Sequence, residues 1–461
     1  MVDADQTFQR TAPKVAATRP MARIVSTKYT VAAGCIMVGT ACADMLFGLN
    51  TIARVLIYAG AVGLAFVRGG FKIRMTARSS LFFLCGGLYI LTAVVGRSVP
   101  NLVKSDIRNI LVGFALLATL GLSDLTRAAW ERFQLLAHRT VLLITTLGGI
   151  LGLAKLLYYT HGGVIDRLMD PERGYPLGSS LQTDYNFYAL PLLLGIFSAF
   201  WLMKKDQSSL WCTLALLCLP ELILAVLLSG SRRGLITVFW AVPILIGWLV
   251  FHRRLAKLRQ RGAGISWKVV LAGLCFVGVL CVLKLDSLTQ FVNEVTSTDS
   301  FSGLKVRWRT FEEGTYSDSR MHYWTITLDR LRRFEPVEYV FGQGFGYVTD
   351  LGANPDASED YPHNFVLSAM LYGGALQTGC LIGMVVVALL GLSLRGQGSG
   401  MFAAWSALVI FFLLTSANSF FSSEIAIFLT IFGLRVRRFG PNQGAVPLAR
   451  ARATHPARQV A

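Results

Sequence analysis

Twelve long apolar runs dominate this chain and limit what it can fold into. They lie at approximately 29–49, 51–67, 79–96, 107–122, 140–158, 184–202, 210–228, 234–251, 269–285, 364–392, 401–417 and 424–434. Runs of this length and density mark membrane-spanning helices, since a crossing needs about 20 apolar residues. Only 15% of the 461 residues are charged and 54% are hydrophobic, whereas a soluble domain is about a quarter charged. The expected fold is therefore an all-α polytopic membrane protein of about twelve transmembrane helices. The eight cysteines all fall inside apolar runs, so they read as small core hydrophobes, without a disulfide framework or metal site.

The net charge of +18 raises the question of nucleic acid, but its distribution answers it. With the amino terminus inside, the inner segments sum to +22 and everything else to −4. Basic residues concentrated in one set of short loops are the signature of membrane orientation, and nucleic acid is not an expected partner. The expected organisation is a cytoplasmic tail over 1–28, transmembrane helices 1–9 over 29–285, a large loop over 286–363, transmembrane helices 10–12 over 364–434, and a basic cytoplasmic tail over 435–461. Residues 1–28 read as leading into an uncleaved anchor. The segments 159–183, 229–233 and 286–363 face the opposite side.

Isolated arginines stand out in these outward segments. Arg232 and Arg233 lie in SGSRRG, between two spans. Paired guanidiniums there suit a diphosphate, and the helix starting beyond them adds its amino-terminal dipole. The alternative is a turn whose arginines reach the lipid headgroups. Arg320 opens an amphipathic stretch (SRMHYWTITLDRLRRF) with Trp324, Leu328 and Leu331 at helical spacing. Ser317 or Asp318 is placed to cap it, and Glu335-Pro336 to end it. This helix is expected to lie along the interface with its apolar face inward. His363, directly ahead of a span, can take a proton from a hydroxyl or be a simple loop residue. Arg173 precedes the span starting at Asp184. The Gly342-x-Gly344-x-Gly346 pattern reads as a tight turn rather than a phosphate loop.

In order, four pieces resemble the O-antigen ligase and polymerase superfamily: ERGYPLG with TDYNFYAL, SGSRRGLI, SRMHYWTITL with FGQGFGY, and YPHNFVLSAMLYGG. The resemblance covers about 173–390. It implies an inner-membrane, metal-independent, inverting glycosyltransferase with both termini cytoplasmic, its active site facing the periplasm beneath the 286–363 loop, and no cofactor. The implied donor is a glycan on undecaprenyl diphosphate; the implied acceptor is lipid A–core or a growing polysaccharide. Carried over by position, Arg232 and Arg320 hold the diphosphate, Arg173 is a further donor contact, and His363 is the base. Two departures are visible. Arg233 intervenes before Gly234, leaving open which of the pair meets phosphate, and Tyr372-Gly373-Gly374-Ala375 stands where the family often has an acidic residue. A ligase is favoured over a polymerase because one outer loop dominates. A transporter leaves the long loop unexplained and usually carries mid-span charges; a scaffold leaves the outer arginines unexplained.

Overall fold

The computed structural model describes residues 20–49, 51–69, 80, 84, 87, 124–161, 180–181, 185–260, 319–343, 362, 364–393, 400–416 and 435–436. These residues are almost wholly helical. The helices are α1 (Pro20–Phe47), α2 (Thr51–Gly69), α3 (Arg127–Thr160), α4 (Tyr185–Lys205), α5 (Ser209–Leu227), α6 (Arg232–Gln260), α7 (Ser319–Arg332), α8 (Pro336–Phe341), α9 (Phe365–Ser393) and α10 (Gly400–Ser416). Two-residue strands, β1 (Asp124–Leu125) and β2 (Arg435–Val436), pair in parallel.

Four helical stretches are long and apolar enough to cross a membrane: Lys28–Phe47, Arg127–Tyr158, Tyr188–Lys205 and Ser209–Leu227. Each coincides with an expected span. Shorter apolar stretches, Ile52–Ala65 and Arg233–Gly247, lie in α2 and α6. α9 and α10 occupy two further expected spans, while those at 79–96, 107–122, 269–285 and 424–434 lie outside the described residues apart from isolated positions. One boundary moves. α3 begins at Arg127 rather than 140, because the Thr126 hydroxyl accepts the Ala129 N–H at 3.2 Å and caps the helix there.

Small residues and polar ties hold the bundle together. In α3, Gly148, Gly149 and Gly152 leave hollows filled by Leu46 of α1, Glu221 of α5 and the Tyr188 hydroxyl of α4, so one short glycine patch admits three neighbours. Both carboxyl oxygens of Glu221 are buried there. Tyr188 donates to the Gly149 carbonyl at 3.5 Å. His138 of α3 is fully buried, stacked on Trp201 of α4 at 4.4 Å, edge-on to Trp405 of α10 at 4.7 Å, and 3.1 Å from the Ser198 hydroxyl. Pro191, Pro220 and Pro243 lie inside α4, α5 and α6, a composition that membrane helices tolerate.

At one end of the bundle Arg139 of α3 makes a two-pronged pair with Asp206, in the turn between α4 and α5, at 2.8 Å on each prong. The Arg139 guanidinium also lies over the Trp211 ring. Asp206 is nearly fully enclosed. Burial alone would raise its pKa, but the Arg139 hydrogen bonds and the Ser208 N–H outweigh it and hold the carboxyl below its usual range.

Within the polar loop, Thr327 of α7 is buried and Leu328 is 47% exposed. α7 ends at Arg332, ahead of Glu335-Pro336 as expected. That pair has a second role. It starts α8, with Glu335 as N-cap and Pro336 in the first turn, where a missing N–H costs nothing. The Glu335 N–H is satisfied by the Glu338 carboxylate at 3.1 Å.

Candidate functional site

The SGSRRG segment is a compact connection whose serine hydroxyls bond within the turn and to the end of α5. α5 ends as the Leu228 N–H meets the Leu224 carbonyl and the Ser229 N–H meets that of Val226. Gly230 then turns the chain at φ 73°, a conformation that favours glycine. The Ser231 N–H donates to the Ser229 hydroxyl at 3.1 Å, and the Ser231 hydroxyl accepts from the Gly234 N–H at 3.2 Å. Ser231 is therefore the N-cap of α6. Gly234 lies close against α4: a Cβ there would come within 3.1 Å of both Ala189 and Val226.

This geometry puts Arg232 and Arg233 in the first turn of α6. Two cations at the positive end of a helix are unfavourable by themselves, and an anion bound there would offset both charges. Arg233 is only 6% exposed, with its guanidinium 5.5 Å from the centre of the Phe412 ring in α10. The Arg232 side chain lies outside the described residues.

The second half of the site forms where α7 meets α9. Arg320 occupies the first turn of α7, one helical turn before Trp324, so the two positions share a face; the Arg320 side chain lies outside the described residues. The Trp324 indole N–H donates to the Pro362 carbonyl at 2.7 Å. Asn364 caps α9, its side-chain oxygen accepting from the Val366 and Leu367 N–H groups at 3.0 and 3.3 Å. Thus the residues on both sides of His363 are held, while His363 itself lies outside the described residues, as does Arg173.

The Gly342 turn is engaged with protein. Gly342 closes α8 at φ 71°, its N–H reaching the Glu338 carbonyl. The Gln343 side chain accepts from Arg330 at 2.8 and 3.0 Å and donates to Glu338 at 3.1 Å. Its backbone N–H donates to the Leu371 carbonyl at 2.8 Å. That carbonyl is accessible because α9 is broken at Gly374 (φ 65°, ψ −160°). A Cβ at Gly374 would lie 2.5 Å from the Val340 carbonyl atoms and 2.6 Å from the Gly342 nitrogen. The clasp thus fastens α7 and α8 to the break in α9.

α9 and α10 pack together, and α10 also packs on α4. The Asn364 cap was missed in the sequence, although an Asn directly before an apolar run is its signal. The Trp324–Pro362 bond and the Gln343 clasp carry no sequence signal, because they join residues through the fold. No family model matches the chain, and no curated protein matches it.

Proposed function

We propose that this chain transfers a glycan from undecaprenyl diphosphate to an acceptor saccharide at the periplasmic face of the inner membrane, as an O-antigen ligase acting on lipid A–core. The observation that carries this reading is the Trp324–Pro362 hydrogen bond. It joins the helix that carries Arg320 in its first turn to the residue immediately before His363, and Arg233 is separately buried against Phe412.

The chemistry is a single displacement. The acceptor hydroxyl oxygen bonds to the anomeric carbon, the bond from that carbon to the diphosphate breaks, and the hydroxyl proton passes to His363. The electron pair leaves on undecaprenyl diphosphate, whose growing charge Arg320 and the Arg232–Arg233 pair offset, with Arg173 as a further donor contact. Fixed guanidiniums aimed at developing charge in a site that excludes water are an effective way to lower such a barrier. Attack opposite the leaving group inverts the anomeric centre.

Removing the gene from its host and displaying surface polysaccharide on a gel tests the reading. Loss of lipid A–linked polymer with carrier-linked polymer retained is the ligase result. Material of single-repeat length identifies a polymerase, and unchanged polysaccharide rejects both. Reintroducing His363→Ala should leave insertion and donor binding intact and lower transfer by about 10²–10⁴-fold, the usual contribution of a positioned base.

A further inference from the structure

We propose that α8 is a membrane-interface anchor, seated with Val337, Val340 and Phe341 among the lipids at the water boundary. Those residues stand at i, i+3 and i+4 and so form one stripe on a short helix. All three are exposed: Val337 by 68%, Val340 by 42% and Phe341 by 54%. Apolar side chains crowded on one face of a short helix mark an interaction surface rather than scattered surface residues. Away from the stripe, Glu338 is tied to Gln343 and through it to Arg330. Tyr339 and Arg333 are exposed nearby, a pairing of aromatic and cationic groups that suits the headgroup layer.

The occupant is identified by where the clasp places α8. It docks at Gly374, part-way along α9. At about 1.5 Å per residue, the helix from Ala375 to Ser393 is about 28 Å long, close to the ~30 Å hydrocarbon thickness. Its sequence, ALQTGCLIGMVVVALLGLS, has no charged residue. The part before the break, Phe365 to Gly373, is then a projecting piece of about two and a half turns beside α7, and the break marks the membrane surface. A helix fastened at that level with an outward apolar stripe meets the lipid interface. The assignment is independent of glycan transfer and of which side of the membrane is involved.

The test uses the full chain in vesicles of phosphatidylethanolamine and phosphatidylglycerol, with a benzophenone amino acid introduced at Phe341 and, separately, at Val337. Leu217, a 67% exposed residue within the apolar α5, gives the lipid-facing reference, and Arg332 the water-facing one. After illumination, mass spectrometry of the peptide reads the adduct. Phospholipid adducts at Phe341 and Val337, at a yield within about threefold of Leu217 and well above Arg332, are expected. Adducts to protein instead of lipid at either position overturn the proposal. So does a yield no higher than that at Arg332 while Leu217 still labels, since that control shows the chain to be inserted.

Discussion

Ser231 shows how much of the SGSRRG segment is architecture. Its hydroxyl caps α6 while its N–H uses the Ser229 hydroxyl, so the two serines orient the turn that carries both arginines. Replacing an N-cap serine by alanine typically costs about 1 kcal/mol. Ser231→Ala should therefore lower the midpoint of thermal unfolding in detergent by a few degrees, with Ser231→Thr recovering most of it. An unchanged midpoint in the alanine variant would mean that the cap is dispensable. Arg233 makes a different point. A guanidinium beside an aromatic ring at a helix start was legible only as one of two adjacent arginines, because neither spacing nor composition says which of a pair turns inward. Beside Arg233, Gly234 packs closely against Ala189 of α4 and Val226 of α5.

At the scale of elements, the apolar runs translated directly into helices wherever length and hydrophobicity acted together, as in α1, α4 and α5. Ends were less legible. α3 starts well before its apolar core because a threonine cap and a short polar first turn extend a helix without adding hydrophobicity. α8 was hidden by its proline, which ends one helix and begins another with equal ease. The break in α9 was written as two adjacent glycines, but its role required knowing that Val340 approaches from another element. The Arg139–Asp206 pair yields a prediction for three elements together. A carboxyl whose folded pKa lies below its unfolded value of about 3.9 contributes stability that is fully present above that value. The contribution is lost as the pH falls through the lower, folded pKa. Wild-type protein should thus show an acid-side decline in unfolding temperature below about pH 4. Asp206→Asn should be less stable at pH 7 and show a shallower acid decline, as followed by thermal unfolding across pH 2–7. Parallel curves for the two proteins would remove Asp206 from the account of acid stability.

For the whole molecule, the charge distribution sets the largest expectation. Segments with a net +22 were expected on one side and 286–363 on the other. Reporter fusions at Gly262 and at Ser300 should therefore report opposite sides of the membrane; the same side for both would relocate every proposed site residue. Within the described residues, the parallel pairing of Asp124 with Arg435 and Leu125 with Val436 brings side by side two segments that were both expected inside.

That small pairing also has a consequence for how the protein is made. Leu125 is completely enclosed in the finished structure, yet its strand partner is Val436, about three hundred residues further along the chain. While the ribosome works through the intervening helices, β1 waits with an open hydrogen-bonding edge. Long-range pairing of this kind can close only after the loop between its ends has been synthesised and ordered. The bridge is thus a later event than the making of the helices between its two strands, which can enter the membrane and find their neighbours first.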